Sequence, residues 1–268
     1  MTDQPSTLSP AGRPKIRLYV EQPLGAGQPV TLSQDGAHYL IGVMRLTVGN
    51  EVALFNGQAG EWRARIVKAA RRACELVCEE PSAPQLDPPD LWLLFAPIKK
   101  TRTDFIVEKA TELGAARIIP VQSDHTNAER IRQDRLQAHA IEAAEQCGAT
   151  FVPPVDALRP LARLLADWPE GRVLFWADEG VVDDAAAEGL HASFPGAPPA
   201  APPGAAAILI GPEGGFSPAE RARLATLPFV RRIGLGPRIL RADTAAVAAI
   251  TLWQARLGDW PRDASGAP

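Results

Sequence analysis

The sequence predicts an α/β protein with two domains, a small β-rich domain followed by a larger domain built on a parallel sheet. Three observations favour this fold class. Short strand-like segments lie between about residues 16 and 80, a proline-rich stretch without periodicity covers 79–90, and apolar strands alternate with helices from residue 91 onwards. A chain of 268 residues can form one large domain or two modest ones, and this change of pattern favours two.

The N-terminal domain, placed at residues 15–82, is predicted to be a small β-barrel. Turn-forming Gly, Asn and Pro residues separate its four strands, which are Arg17–Val20, Glu51–Phe55, Trp62–Val67 and Cys74–Cys78. In the third strand, apolar residues alternate with Arg63 and Arg65, which is typical of a strand with one solvated face. These arginines, with Lys68, Arg71 and Arg72, are either a basic stripe or simply that solvated face. Residues 1–14 are expected to be a disordered leader.

The second domain, placed at residues 90–262, is predicted to contain a parallel sheet covered by helices. Its five apolar strands are Leu91–Phe95, Arg117–Val121, Val173–Ala177, Ala206–Ile210 and Arg231–Leu235. A first helix is expected over 104–113 with Thr103 as its N-cap and Gly114 at its end, and a second over 128–147 before Gly148. The Pro- and Ala-rich segment 193–204 is expected to be an extended loop.

Two later helices have clearer sequence signals. Ser217-Pro-Ala-Glu220 has the pattern of a capping box, with Ser217 at the N-cap and Glu220 three residues on. The final helix, over 244–257, is apolar on most sides, so we expect it to be buried or to lie in a subunit interface.

Composition excludes several classes of protein. The formal net charge of -3 disfavours a protein that coats nucleic acid nonspecifically. The chain has no run of eighteen apolar residues and its first residues do not resemble a secretory signal, so we expect a soluble, cytoplasmic protein with no membrane association. Three cysteines without zinc-site spacing predict no structural metal.

Two Gly-Pro loops are the strongest indication of a ligand site. Gly211-Pro-Glu-Gly-Gly215 follows the fourth strand of the second domain, and Leu235-Gly-Pro-Arg-Ile-Leu-Arg241 follows the fifth. Neither has the spacing of a P-loop or of a dinucleotide-binding fingerprint, and each alone could be a tight turn. Because neighbouring parallel strands end at the same sheet edge, where open α/β folds bind ligands, the pair indicates a ligand site.

The ordered motifs of the chain resemble the RsmE type of ribosomal RNA methyltransferase in the SPOUT superfamily. The blocks that carry the resemblance in the second domain are Arg102 with Glu108–Gly114, Glu142–Gly148, Leu209–Ser217 and Leu235–Ala245. Arg17–Val20 and His38–Arg45 with Gly49 resemble that family's PUA-like RNA-binding barrel. Membership implies a sheet tied in a trefoil knot. Two departures stand out: Ser123–Thr126 replaces a common Glu-Arg pair, and Ala149 replaces an arginine.

The resemblance implies methylation of uracil N3 in 16S ribosomal RNA by S-adenosylmethionine, by a homodimer acting on the small ribosomal subunit without a metal. It places the cofactor at three strand-end loops, with contacts from Trp176, Ala177, Ile210, Gly211, Pro212, Gly214, Gly215, Leu235, Gly236, Ile239, Leu240 and Thr244. Since N3 must lose a proton, Arg241 is the leading candidate for a cation that stabilises the anion, and Glu213 is a weaker candidate for a base. The predicted RNA contacts are Arg17, Arg45, Arg102 and Arg238.

Two alternatives remain at this point. A sister SPOUT enzyme that methylates a ribose hydroxyl or a guanine would use the same cofactor loops. A noncatalytic RNA-binding assembly factor could keep the fold without turnover, although the intact glycine loops count against it.

Overall fold

The computed structural model describes residues 13–70, 72–126, 131–181 and 204–260, and the chain divides into two compact units. The first contains Met1–Asp87 and Ala144–Val152, and the second contains Pro88–Ala143 and Pro153–Pro268. Most of the leader predicted at 1–14, and all but Gly204 of the loop predicted at 193–204, lie outside the described residues.

The first unit contains a five-stranded sheet in the order β1-β3-β4-β5-β2. The strands are β1 Arg17–Tyr19, β2 Pro29–Thr31, β3 Glu51–Phe55, β4 Glu61–Ala70 and β5 Ala73–Ala83, with a short helix α1, Gln34–Ala37, and a π-helical turn, His38–Val43. β1 pairs with β3 in parallel, and the other pairs are antiparallel. The sequence prediction missed β2, because a three-residue edge strand that begins with proline has no alternation to detect.

The core of the first unit contains aliphatic residues of β2–β5 and the fully buried Leu40 of the π-helical turn. The prediction that Arg63 lies on a solvated face is wrong, since Arg63 is only 8% exposed and lies near Glu51 and Glu80. Arg65, half-exposed, binds Glu51 and Glu79. These two arginines of the strand are therefore not a row of unpaired cations, because neighbouring strands supply matching carboxylates.

The second unit contains a six-stranded parallel sheet in the order β11-β9-β10-β6-β7-β8. The strands are β6 Leu91–Phe95, β7 Arg117–Gln122, β8 Arg159–Pro160, β9 Val173–Ala177, β10 Ala206–Ile210 and β11 Val230–Ile233. The helices are α2 Lys100–Glu112, α3 Gln133–Cys147, which extends into the first unit, α4 Leu161–Ala166, α5 Pro218–Thr226 and α6 Ala242–Leu257. β10 is inserted between β6 and β9, so it is buried along its whole length.

Helix ends follow local chemistry in most cases. Gly114 and Gly148 have φ of 79° and 83° after α2 and α3, as predicted. Ser217 forms the predicted capping box of α5. The predicted N-cap at Thr103 is wrong, because its hydroxyl bonds instead to both backbone groups of Ile98 inside a helix that already begins at Lys100. α3 begins at Gln133, later than predicted.

α6 is packed against α2 and β10, which confirms that the final helix is largely buried. Its Gln254, only 1% exposed, donates hydrogen bonds to the carbonyl oxygens of Leu113 and Gly114, so the buried amide is satisfied. Within the described ranges, no helix has both the length and the apolar character needed to cross a membrane.

Candidate active site

Three loops meet at one edge of the parallel sheet, because β11, β9 and β10 are neighbours that run in the same direction. Ala177 at the end of β9 is in register with Ile210 of β10 on one side and with Ile233 of β11 on the other. The loops that follow surround a cavity of about 430 Å³. This volume is within the range of small-molecule sites, and the position is the one where open α/β sheets bind ligands.

The loop after β10 depends on the absence of side chains at two glycines. A Cβ atom on Gly211 would come within 2.8 Å of the Phe216 ring, which packs edge-on against Trp176. Gly215 has a φ of 67° and donates its N–H to the carbonyl oxygen of Pro212, which closes a tight turn. The glycines therefore let this loop fold closely against its own aromatic support.

Two acidic residues that the sequence analysis did not select follow directly after β9. Asp178 is buried, and its carboxylate accepts hydrogen bonds from Arg221 and Arg232. Glu179 lines the cavity, and its carboxylate lies against Gly215 without a hydrogen-bond donor among the described residues. The available signal was their place directly after Ala177, in one of the three strand-end loops where the resemblance places the cofactor.

The cations at the cavity fall into two groups. Arg102 of α2 donates to the Glu213 carboxylate at 2.9 Å and lies 3.6 Å from Asp243, so its charge is matched within the protein. Arg238 and Arg241 are exposed cavity residues, and the described residues supply no ion-pair partner to either guanidinium. Within the described part of the chain, Arg238 and Arg241 are thus available to a ligand, while Arg102 joins two elements of the cavity wall and Arg221, also at the cavity, is paired with Asp178.

Comparison with known proteins gives the family. A family model described as an RNA methyltransferase domain matches residues 85–254, and a model described as an RNA methyltransferase PUA domain matches residues 32–78. The chain belongs to the RNA methyltransferase family.

Similar proteins of this family carry one name in several bacteria. The chain is 28% identical to the ribosomal RNA small subunit methyltransferase E of Rickettsia conorii, over 87% of this chain and 93% of the relative. It is 30% identical to the protein of that name from Synechocystis, over 82% of this chain and 71% of the relative. The predicted resemblance to the RsmE type is confirmed.

Solved structures of relatives match both units. The methyltransferase E of Neisseria gonorrhoeae, solved with bound S-adenosyl methionine, has a TM-score of 0.77 and 28% identity, with 91% of this chain and 99% of that chain covered. A Legionella pneumophila methyltransferase, also solved with this cofactor, has a TM-score of 0.76 and 27% identity, with 91% and 98% covered. The predicted fold class, a SPOUT-type α/β domain with an N-terminal PUA-like domain, is confirmed.

Most of the residues predicted to bind the family's cofactor line the cavity: Ala177, Ile210, Gly211, Pro212, Gly215, Leu235, Gly236, Ile239 and Leu240. Arg241, Glu213, Arg102 and Arg238 line it as well. Three others lie apart. Trp176 is buried behind Phe216, Gly214 faces His125, and Thr244 is exposed in the first turn of α6. The binding role of each residue stays a prediction.

The two remaining predicted RNA contacts lie in the first unit and differ sharply. Arg17 is nearly buried, with Nε bound to the Glu61 carboxylate at 2.6 Å and its two terminal nitrogens bound to the carbonyl oxygens of Ala144, Glu145 and Ala149. Arg45 is exposed and has a left-handed φ of 56°. Arg17 thus has a structural role, and an RNA contact would have to replace its internal hydrogen bonds. The exposed Arg45 is accessible to a partner.

Proposed function

We propose that this protein transfers the methyl group of S-adenosylmethionine to N3 of a uridine in 16S ribosomal RNA of the small ribosomal subunit. The observation that carries the proposal is the cavity formed by three adjacent strand-end loops in a member of the RNA methyltransferase family. Relatives solved with S-adenosylmethionine resemble both units of this chain, and those named for the small ribosomal subunit supply the substrate class.

The cavity suits the proposed cofactor. Its volume of about 430 Å³ accommodates a nucleoside with a short chain, and Ile239 and Leu240 offer apolar surface beside which an adenine ring would lie. Glu179 offers a carboxylate without a donor among the described residues. Such an acceptor is suited to ribose hydroxyl groups, which acidic residues bind in other nucleotide sites.

The chemistry requires an activated uracil nitrogen. The cofactor, when bound, supplies an electrophilic methyl group on a sulfonium centre. N3 of uracil carries a proton between two carbonyl groups, and it must lose that proton to become nucleophilic. In the proposal N3 releases its proton to solvent water, while Arg241 donates to a carbonyl oxygen of the base and stabilises the resulting anion, which then attacks the methyl group and leaves S-adenosylhomocysteine. Arg241 is also the N-cap of α6, so the positive end of that helix dipole lies beside it.

The role of Glu213 is more consistent with support than with proton abstraction. One of its carboxylate oxygens accepts a hydrogen bond from Arg102, which also lies near Asp243. We therefore assign Arg102 and Glu213 to holding the glycine loop and the start of α6 together. Arg238, which is exposed at the cavity, is assigned to an RNA phosphate or base.

The proposal includes a cytoplasmic homodimer. The α6 residues Val247, Ala248 and Leu252 are partly exposed, and Ile239 is 66% exposed in the adjoining loop, so apolar surface is available for a second copy. Sedimentation at equilibrium would test this part separately, and a monomer at all accessible concentrations would contradict it.

The function is tested by mass spectrometry of 16S ribosomal RNA nucleosides from cells with and without the gene. We expect 3-methyluridine to disappear on deletion and to return when the purified protein and S-adenosylmethionine are added to the subunits. The Arg241→Ala variant should restore it about 100-fold more slowly. Unchanged 3-methyluridine, or loss of a ribose or guanine methylation instead, would contradict the proposed substrate.

A further inference from the structure

The turn after β7 closes on itself through short polar side chains. The backbone N–H of Thr126 donates to the carbonyl oxygen of Ser123 at 3.1 Å, and the backbone N–H of Ser123 donates to the Thr126 hydroxyl at 2.9 Å. The two hydroxyl groups are also hydrogen-bonded, and Ser123 is buried. Asp124 and His125 are the two central residues of this closed turn.

Asp124 binds the start of α5. Its carboxylate accepts a hydrogen bond from the Ser217 hydroxyl at 2.5 Å, and its backbone N–H donates to the Glu220 carboxylate at 3.0 Å. Ser217 and Glu220 are the two members of the capping box that begins this helix. The turn after β7 is therefore joined to the residue that ends the glycine loop.

His125 binds the glycine loop itself. Its Nδ1 lies 3.2 Å from the carbonyl oxygen of Gly214 and 3.1 Å from that of Gly215. Because both partners are carbonyl oxygens, Nδ1 must carry the proton and donate to them. The side chain also packs on Gly214, whose Cβ position would be 3.6 Å from the histidine Cβ atom. The loop is thus held from outside by His125, while Gly215 lines the cavity.

We infer that Asp124 and His125 are positioning residues that hold the Gly211–Ser217 loop in the shape that binds the cofactor. The inference rests on the proposed function, and it gives a role to two residues that line no part of the cofactor cavity within the described chain. A loop with three glycines has many accessible conformations when free, and binding would have to order it. Two consecutive carbonyl groups fixed in advance reduce that loss of entropy, so cofactor affinity should depend on His125.

The test is calorimetric titration with S-adenosylhomocysteine, the product form of the cofactor, on full-length variants. Asn places an amide nitrogen at the position of Nδ1, whereas Ala removes the donor. We expect His125→Ala to raise the Kd about ten-fold, as for the loss of one neutral N–H donor that two carbonyl oxygens share. The His125→Asn variant should have a Kd within about three-fold of the parent value. In both variants, kcat at saturating S-adenosylmethionine should change by less than about two-fold.

Arg223→Ala is the matched control, because Arg223 lies on α5 and donates to the carbonyl oxygen of Ala162, away from the glycine loop. It should leave the Kd unchanged. If His125→Ala is too unstable to titrate, His125→Gln replaces it, since Gln keeps a polar side chain but moves the donor by one bond and should also weaken binding. A parental Kd in His125→Ala, or in His125→Gln where it replaces the Ala variant, would overturn the inference, and so would equal losses of affinity in the Asn and Ala variants. Absence of binding by the parent protein would instead overturn the proposed function.

Discussion

The carboxylate of Glu179 lies against the Cα atom of Gly215, in the space that a side chain on Gly215 would need. Glu179 follows β9 and Gly215 follows β10, so the two strand-end loops are in contact at the cavity wall. Glycine is favoured there by the left-handed φ of 67°, and the Glu179 carboxylate, at the end of a flexible side chain, would have to move for any larger residue.

Substitution of Gly215 tests this contact between the two loops. Gly215→Ala should cost about 1–2 kcal/mol of stability from its backbone conformation alone, and more from the displaced Glu179. Thermal unfolding should therefore occur at a lower temperature, and the Kd for S-adenosylhomocysteine should rise at least about ten-fold. Gly204→Ala is the control, since no atom of the described residues lies within 4 Å of its Cβ position.

A double variant separates the two costs. In Glu179→Ala/Gly215→Ala the steric conflict is removed but the backbone strain remains, so the stability losses should be less than additive. Strict additivity would show that the two residues do not interact, contrary to their geometry.

Arg241 is predicted to act on the reaction rather than on cofactor binding. Arg241→Ala should lower kcat about 100-fold, as for the loss of a donor that stabilises a developing anion, with the Kd for S-adenosylhomocysteine unchanged within about two-fold. Arg241→Lys should recover only part of the rate, because an ammonium group lacks the planar fork of donors. Single-turnover methylation of small ribosomal subunits measures the rates of the two variants, and calorimetric titration measures the Kd.

Arg231→Ala controls for the loss of one positive charge. Arg231 is exposed on β11 and donates to the carbonyl oxygens of Pro228 and Val230. It should keep the parental rate. If Arg241→Ala methylates at the parental rate as well, the cation must be sought elsewhere.

Glu61 should make stability of the first unit depend on acid pH. Burial of Glu61 would raise its pKa, but hydrogen bonds from Arg17, Ser82 and Arg13 outweigh burial and hold the pKa below its ordinary value of 4.5. A carboxyl whose pKa is lower in the folded state stabilises the fold above the unfolded pKa, and this contribution is lost as pH falls through the folded pKa. The free energy of unfolding should therefore fall as the pH decreases below about 4.5.

The Glu61→Gln variant should be less stable at neutral pH by about 3 kcal/mol, because it leaves the nearly buried Arg17 without its carboxylate. Its stability should also decline less steeply in acid. Glu79→Gln is the control, since Glu79 pairs with Arg65 at the surface and the change should cost less than about 1 kcal/mol. Denaturant titrations across the acid range measure both effects, and identical acid slopes for Glu61→Gln and the parent would refute the assignment.

Arg17 and Arg45 should behave differently when replaced. Arg45→Asn should keep the folded structure, since Asn tolerates the left-handed conformation. The variant should bind RNA more weakly, and the slope of log affinity against log salt concentration should become shallower by about 1. Arg17→Ala should instead lower the unfolding temperature, because it removes four internal hydrogen bonds. Filter binding over a range of salt concentrations, with parallel thermal unfolding, distinguishes the two. An Arg17→Ala variant with parental stability would contradict the structural role.

The sequence predicted those parts of the fold that depend on local patterns. The strands Leu91–Phe95, Val173–Ala177 and Ala206–Ile210 were found to the residue because each is a short apolar run bounded by turn residues. Gly114 and the capping box at Ser217 were found because helix ends have their own residue preferences. Where competing partners lie far away in sequence, as for Arg63 between two acidic residues, the local pattern gave the wrong face.

The sequence by itself determined the fold class, the family and the two Gly-Pro loops, because hydrophobic periodicity and sequence motifs are properties of short contiguous segments. Only the tertiary structure decided which charges are free at the cavity. Arg102 and Glu213 are 111 positions apart and neutralise each other, while the Asp178 carboxylate holds Arg221 and Arg232. His125 reaches the carbonyl groups of a loop 90 positions later. The energy of an interaction between two charged side chains depends on the distance between them in space and on their burial. Neither quantity can be derived from the positions of the residues in the sequence.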